Sequence, residues 1–121
     1  MNRVVHFEIP VDNASRAGDF YGRVFEWKVA QWGDVQYWPM TTGEPSGIGA
    51  EGALTPRSDA PEGVLVYVSV DSIDPFLDRI RGAGGRVVAG RTVIPGTGWF
   101  ATFRDPEGNL LGLYENDPSA T

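Results

Sequence analysis

The sequence predicts an α+β fold: two tandem βαβββ modules forming a curved mixed sheet around a concave cavity, with the helices on the outer face. Three observations predict it. A strand–helix order appears twice, at a constant offset of 59 residues that takes His6 to Leu65, Asp12 to Asp71 and Tyr21 to Ile80. Each copy carries an amphipathic stripe at i, i+3, i+4, i+7: Ala17, Phe20, Tyr21, Val24 in the first and Ile73, Phe76, Leu77, Ile80 in the second. The stretch 98–115, GWFATFRDPEGNLLGLYE, reads as a closing hairpin. The whole chain is one domain, with module 1 at about 3–55, a connector at 56–62 and module 2 at about 63–116.

In chain order, Val4 to Val11 alternates as a strand, with Val5, Phe7 and Ile9 on one face and His6 and Glu8 on the other. Asp12 or Asn13 caps the first helix. Trp27 to Trp32 and Val35 to Met40 read as strands around Gly33-Asp34, Thr41 to Ser46 as a loop, and Gly47 to Leu54 as a weak strand. The polar run TPRSDAPE, Thr55 to Glu62, joins the halves. Val64 to Val70 restarts the pattern, with Leu65, Tyr67 and Ser69 facing away from the valines. Asp71 caps the second helix and Gly84-Gly85 ends it. Arg86 to Thr92 is a strand and Pro95 to Gly98 a turn. In the hairpin, Pro106 takes the first corner of a type I turn and Gly108 the left-handed position after it. A three-residue loop with a G1 bulge then sets Glu115 opposite Trp99, Leu113 opposite Ala101 and Leu111 opposite Phe103. Asn116 to Thr121 is a mobile tail.

Composition narrows the function. The 121 residues carry a net charge of −6, which argues against nucleic acid and anionic membranes as partners. No apolar run reaches the length of about 20 residues that a membrane helix needs. The absence of cysteine excludes disulfides and thiolate chemistry, and fits a cytoplasmic protein. A single histidine rules out a two-histidine metal site within one chain. No phosphate loop and no nucleophile elbow is present.

The segments VVHFEIPVDNASRAGDFYGRVFEW at 4–27, GWFATFRDPEGN at 98–109 and GLYE at 112–115 resemble the vicinal oxygen chelate superfamily. That superfamily holds glyoxalase I, extradiol dioxygenases, and the bleomycin and fosfomycin resistance proteins. The similarity covers nearly the whole chain and points to its small bacterial glyoxalase-like members. It implies a metal-dependent lyase or isomerase acting on a small oxygenated or thiol-conjugated substrate. The alternative it implies is a metal-independent, drug-sequestering binding protein. It also implies a homodimer with a small-molecule ligand.

The resemblance carries metal-ligand positions onto His6 and Glu115. The other two positions fall on Ala50, through an offset of 65 in the last strand, and on Leu65; neither side chain can ligate. The implied cofactor is one divalent ion (Ni, Zn, Mn or Fe) on an incomplete ligand set, with Glu8 as a third ligand or a base beside Glu115. The plainer alternative is a His6–Glu115 ion pair with no metal. Leu65, Tyr67, Trp99 and Ala50 are the expected pocket lining. Tyr67 either donates to a ligand or fills space, and a one-residue slip of the hairpin turns Trp99 to the helix side.

Overall fold

The computed structural model describes residues 2–121 except 32, 45, 46, 48 and 58–62. Trp32, Pro45 and Ser46 of the expected Thr41–Ser46 loop, and most of the connector therefore lie outside the described residues. The chain forms two compact units, Val5–Leu65 and Val66–Thr121, the second joined by the N-terminal residues up to Val4.

The first unit contains β1 (Val4–Val11), α1 (Ala14–Phe25), β2 (Lys28–Val29), β3 (Trp38–Thr41) and β4 (Glu51–Pro56). Its strand order is β2-β3-β4-β1, with β1 and β4 parallel and the other pairs antiparallel. Asn13 is the residue that caps α1: its side chain accepts from the Arg16 N–H at 2.9 Å. Asp12 instead pairs with Arg57 at 3.2 Å. Phe7, Ile9 and Val11 face the helix, where they meet Ala17, Tyr21, Met40 and Leu54. Trp27 belongs to this core and stacks on Tyr21 at 5.4 Å between centroids. Alternation along β1 therefore leaves His6 and Glu8 on the face away from α1.

The second unit contains β5 (Leu65–Ser69), α2 (Ile73–Gly82), β6 (Arg86–Ile94), β7 (Gly98–Arg104) and β8 (Leu110–Asn116). The order β5-β8-β7-β6 repeats the first unit's plan, again with one parallel pair, β5 and β8. Val68, Val70, Ala101, Leu113, Ile73 and Leu77 make the core beneath α2. The α+β class with βαβββ modules is thus realised in each unit.

The hairpin register is the expected one: Trp99 opposite Glu115, Ala101 opposite Leu113, Phe103 opposite Leu111. Its turn closes through the Asp105 N–H to the Asn109 carbonyl and the Gly108 N–H to the Asp105 carbonyl, both 2.9 Å. Gly108 sits at φ 86°, the left-handed position.

Several expectations are corrected. β4 lies at 51–56, not 47–54, because parallel pairing sets it beside β1 with His6 opposite Glu51 and Val11 opposite Pro56. Thr55 therefore belongs to a strand rather than to the connector. Leu54 faces Ile9 just as Leu113 faces Val68, so the offset of 59 holds through the last strand. The offset of 65 falls: Glu115 corresponds to Pro56, and Ala50 to Asn109. Neither Asp71 nor Ser72 caps α2 with its side chain.

The tail is docked rather than mobile. Ala120 is buried, its carbonyl accepts from the Gly96 N–H at 2.9 Å, and the Asp117 N–H donates to Thr97 at 3.0 Å. The Trp99 indole N–H donates to the Asp117 carboxylate at 3.1 Å, while the Arg91 guanidinium lies over the Trp99 ring at 3.6 Å.

Candidate functional site

Ionisable side chains converge on the helix-free face of the first unit's sheet. β1 presents His6 and Glu8 there, and β4 presents Glu51, Ala53 and Thr55 opposite His6, Glu8 and Pro10. Pro39 of β3 pairs with Ala53, so Tyr37, two residues earlier, reaches the same face. A tight turn from the Tyr37 N–H to the Val35 carbonyl (2.8 Å) sets the ring. The Tyr37 hydroxyl lies 2.9 Å from His6 Nε2, and His6 Nε2 lies 3.6 Å from Glu8 Oε2. The His6 and Glu8 side chains are only 28% and 16% exposed, so this is a partly desolvated cluster.

The electrostatics of the cluster order its protons. The Tyr37 phenol is pushed well above its ordinary pKa, first by burial, then by the negative charge of Glu8 and a hydrogen bond to that carboxylate. Tyr37 has one proton to give. The Tyr37 hydroxyl shares the 2.9 Å hydrogen bond with His6 Nε2, and the Glu8 carboxylate strengthens its hold on the proton, so Tyr37 links His6 and Glu8 in one chain. Such chains polarise each member and hold each side chain in one orientation.

Glu115 and Trp99 lie elsewhere than expected. Both occupy the face packed under α2, with Leu113 and Ala101. The Glu115 carboxylate accepts from the Ile73 N–H at 2.9 Å, filling the role the missing side-chain cap leaves open. The register is right and the face is reversed: Glu115 shares the parity of Leu113. Ala50 precedes β4, and its carbonyl accepts from the Thr42 hydroxyl at 2.8 Å. The Thr42 N–H donates to Glu51 at 3.2 Å. Leu65 and Tyr67 are buried. Tyr67 pairs with Gly112, and its ring lies flat against that glycine, filling the space a side chain would take.

Among the described residues no group of three or more His, Asp or Glu side chains is placed to hold an ion. His6 Nε2 is engaged by Tyr37, and Glu115 by the start of α2.

Sequence reasoning missed Tyr37. Its signal was strand parity: Tyr37 and Pro39 share a side, but which side depends on pairing with β4. A cleft of about 410 Å3 beside the start of α1, lined by Arg16 and Arg57 among others, holds none of the expected site residues.

The description of the Glyoxalase/Bleomycin resistance protein/Dioxygenase superfamily matches residues 3–113. The chain belongs to this superfamily. No curated protein matches it by sequence. Solved structures of the superfamily's fold align over nearly the full length. Methylmalonyl-CoA epimerase from Mycobacterium tuberculosis aligns at TM-score 0.72 and 18% identity, covering 96% of this chain and 89% of that one. A glyoxalase/bleomycin resistance protein/dioxygenase superfamily member from Vibrio splendidus 12B01 aligns at 0.68 and 17%, covering 97% and 100%. A variant of the Streptomyces coelicolor methylmalonyl-CoA epimerase, in complex with 2-nitronate-propionyl-CoA, aligns at 0.68 and 16%, covering 96% and 98%. At these identities the likeness is one of fold. Among the described residues no helix is long and apolar enough to cross a membrane.

Proposed function

We propose that this superfamily member is a metal-independent small-molecule-binding protein that takes its ligand on the helix-free face of β1 and β4. The observation that carries the reading is the engagement of His6 Nε2 by Tyr37 at 2.9 Å, in a chain that ends on Glu8. It spends the imidazole on orienting Tyr37 and Glu8 rather than on an ion. The Tyr37 phenol stays protonated and remains a donor. Glu8 supplies a negative charge whose influence reaches Tyr37. With a net charge of −6 on the chain, the face favours a cationic ligand. Tyr67 and Leu65 serve as apolar packing in this reading, and Glu115 and Trp99 as structural residues.

A homodimer is part of the proposal. α1 leaves Phe20, Val24 and Phe25 more than half exposed, an apolar surface that a second copy would cover. Sedimentation showing only monomer at tens of micromolar would remove it.

The test uses the full chain stripped with chelator. Small primary amines should raise the melting temperature, Glu8→Gln should abolish the shift, and Tyr37→Phe should weaken it. Metal content is measured alongside. Near-stoichiometric metal that disappears in both His6→Ala and Glu115→Ala would overturn the proposal in favour of a metal-dependent lyase or isomerase.

A further inference from the structure

The cleft of about 410 Å3 beside the start of α1 shares neither His6 nor Glu8 with the face described above. Ile9, Val11, Ala17 and Tyr21 line it and also belong to the first unit's core, so the core comes to the surface here. Phe20 extends that apolar side. It is more than half exposed, and its ring meets Tyr21 edge-on at 5.2 Å between centroids. An open cleft with an apolar, aromatic side is the usual setting for a small organic ligand.

Two guanidiniums stand at this cleft, Arg16 and Arg57, against one carboxylate, Asp12. The chain as a whole has a net charge of −6, so the local excess is opposite in sign to the molecule's. Asp12 accepts from the Arg57 Nε at 3.2 Å, and the Arg57 backbone N–H donates to the Val11 carbonyl at 2.9 Å. A pair as exposed as Asp12 and Arg57 adds little stability. Its effect is to hold Arg57 at the end of β1 through Nε, with the two terminal nitrogens left to donate. The Arg16 side chain makes no hydrogen bond or ion pair among the described residues. Its backbone N–H is already taken by Asn13, so the donors of the cleft are side chains and not the open end of a helix.

We propose that this cleft is a second ligand site that takes a small aryl-alkyl carboxylate, its head on Arg16 and Arg57 and its ring against Phe20 and Tyr21. A guanidinium matches a carboxylate with two parallel N–H donors, and the pairing is among the stronger polar contacts. The inference does not rest on the amine-binding face: the residues differ and the ligand charge is opposite.

The test uses 3-phenylpropionate, with 3-phenyl-1-propanol to remove the charge and propionate to remove the ring. Binding to the full chain is followed by amide shifts of residues 11–21 and 57 in nitrogen-15 NMR at fixed ionic strength. Phe20 also belongs to the apolar surface of α1, so the protein concentration is one at which sedimentation shows a single species. 3-Phenylpropionate should bind more tightly than either comparison compound, and added salt should weaken it. Arg16→Gln and Arg57→Gln should each weaken it about two- to tenfold, the factor one net hydrogen bond supplies, at an unchanged melting temperature. Glu8→Gln should leave this binding intact. Equal affinity of 3-phenylpropionate and either comparison compound would overturn the ligand class. Binding that both arginine variants leave untouched, or no shift at these residues up to the solubility limit, would overturn the site.

Discussion

Glu115 shows how one carboxylate can be read in two ways and then decided by its neighbours. An acid ending a leucine strand suits a metal site, and the superfamily resemblance favours that reading. The structure sets its carboxylate on the Ile73 N–H, at the start of a helix whose own cap position makes no side-chain bond. A cap removed from a helix costs about 1 kcal/mol, and a negative charge at the N-terminus adds a few tenths more. Glu115→Ala should therefore lower stability by about 1–2 kcal/mol in urea unfolding. Glu115→Gln, which retains an acceptor oxygen, should lose less than half of that. Equal losses in the two variants would mean that charge, not capping, is what the position supplies.

At the scale of elements, the closing hairpin joins local turn chemistry to register. The Asp105 carboxylate accepts from the N–H groups of Glu107 and Asn109 and from the Asn109 side chain. Those bonds organise the loop, and the left-handed residue completes it. A Cβ at Gly108 would meet nothing within 4 Å, so the requirement there is purely conformational. Gly108→Ala should cost about 1–2 kcal/mol, the left-handed penalty for an L-residue, and Gly108→Asn clearly less. Equal destabilisation by both, measured by urea unfolding, would point to steric crowding in place of backbone strain. This hairpin was legible in sequence to the residue, because turn type and register are local. Both helices and β1 were legible for the same reason. β4 was not: glycines blur its start, prolines mimic a linker at its end, and only pairing with β1 sets its bounds. The face of Glu115 was misread although parity with Leu111 and Leu113 was available. The contact between Tyr37 and His6 joins residues 31 apart and depends on sheet order, which no local window carries.

At the scale of the molecule, the perturbed groups divide into two sets that bound stability from opposite sides. The carboxylates of Asp105 and Asp117 titrate below their ordinary range: Asp105 through its bonds to Asn109 foremost, Asp117 through Ser119 foremost and then the Trp99 indole. A depressed carboxylate contributes stability above its unfolded pKa and loses it as pH falls through the folded value, so acid should loosen the hairpin turn and release the tail. The phenols of Tyr37 and Tyr114 are shifted up by burial, with Glu8 adding to Tyr37. Here the sign reverses. The unfolded phenol ionises first, near 10.0, while the folded one holds its proton. Stability present below that pH is therefore lost as pH rises through the ordinary phenol range toward the folded value. The urea midpoint should be flat around neutrality and fall on both sides. In Tyr37→Phe the alkaline fall should become shallower, even though the neutral midpoint drops because Glu8 and His6 lose their shared partner. In Asp117→Asn the acid limb alone should flatten, and Trp99 emission should shift as its indole N–H loses a charged acceptor. If Tyr37→Phe keeps the full alkaline slope, the phenol is not the group that titrates there. The hydrogen-bonded chain from His6 to Glu8 would then need a different proton arrangement.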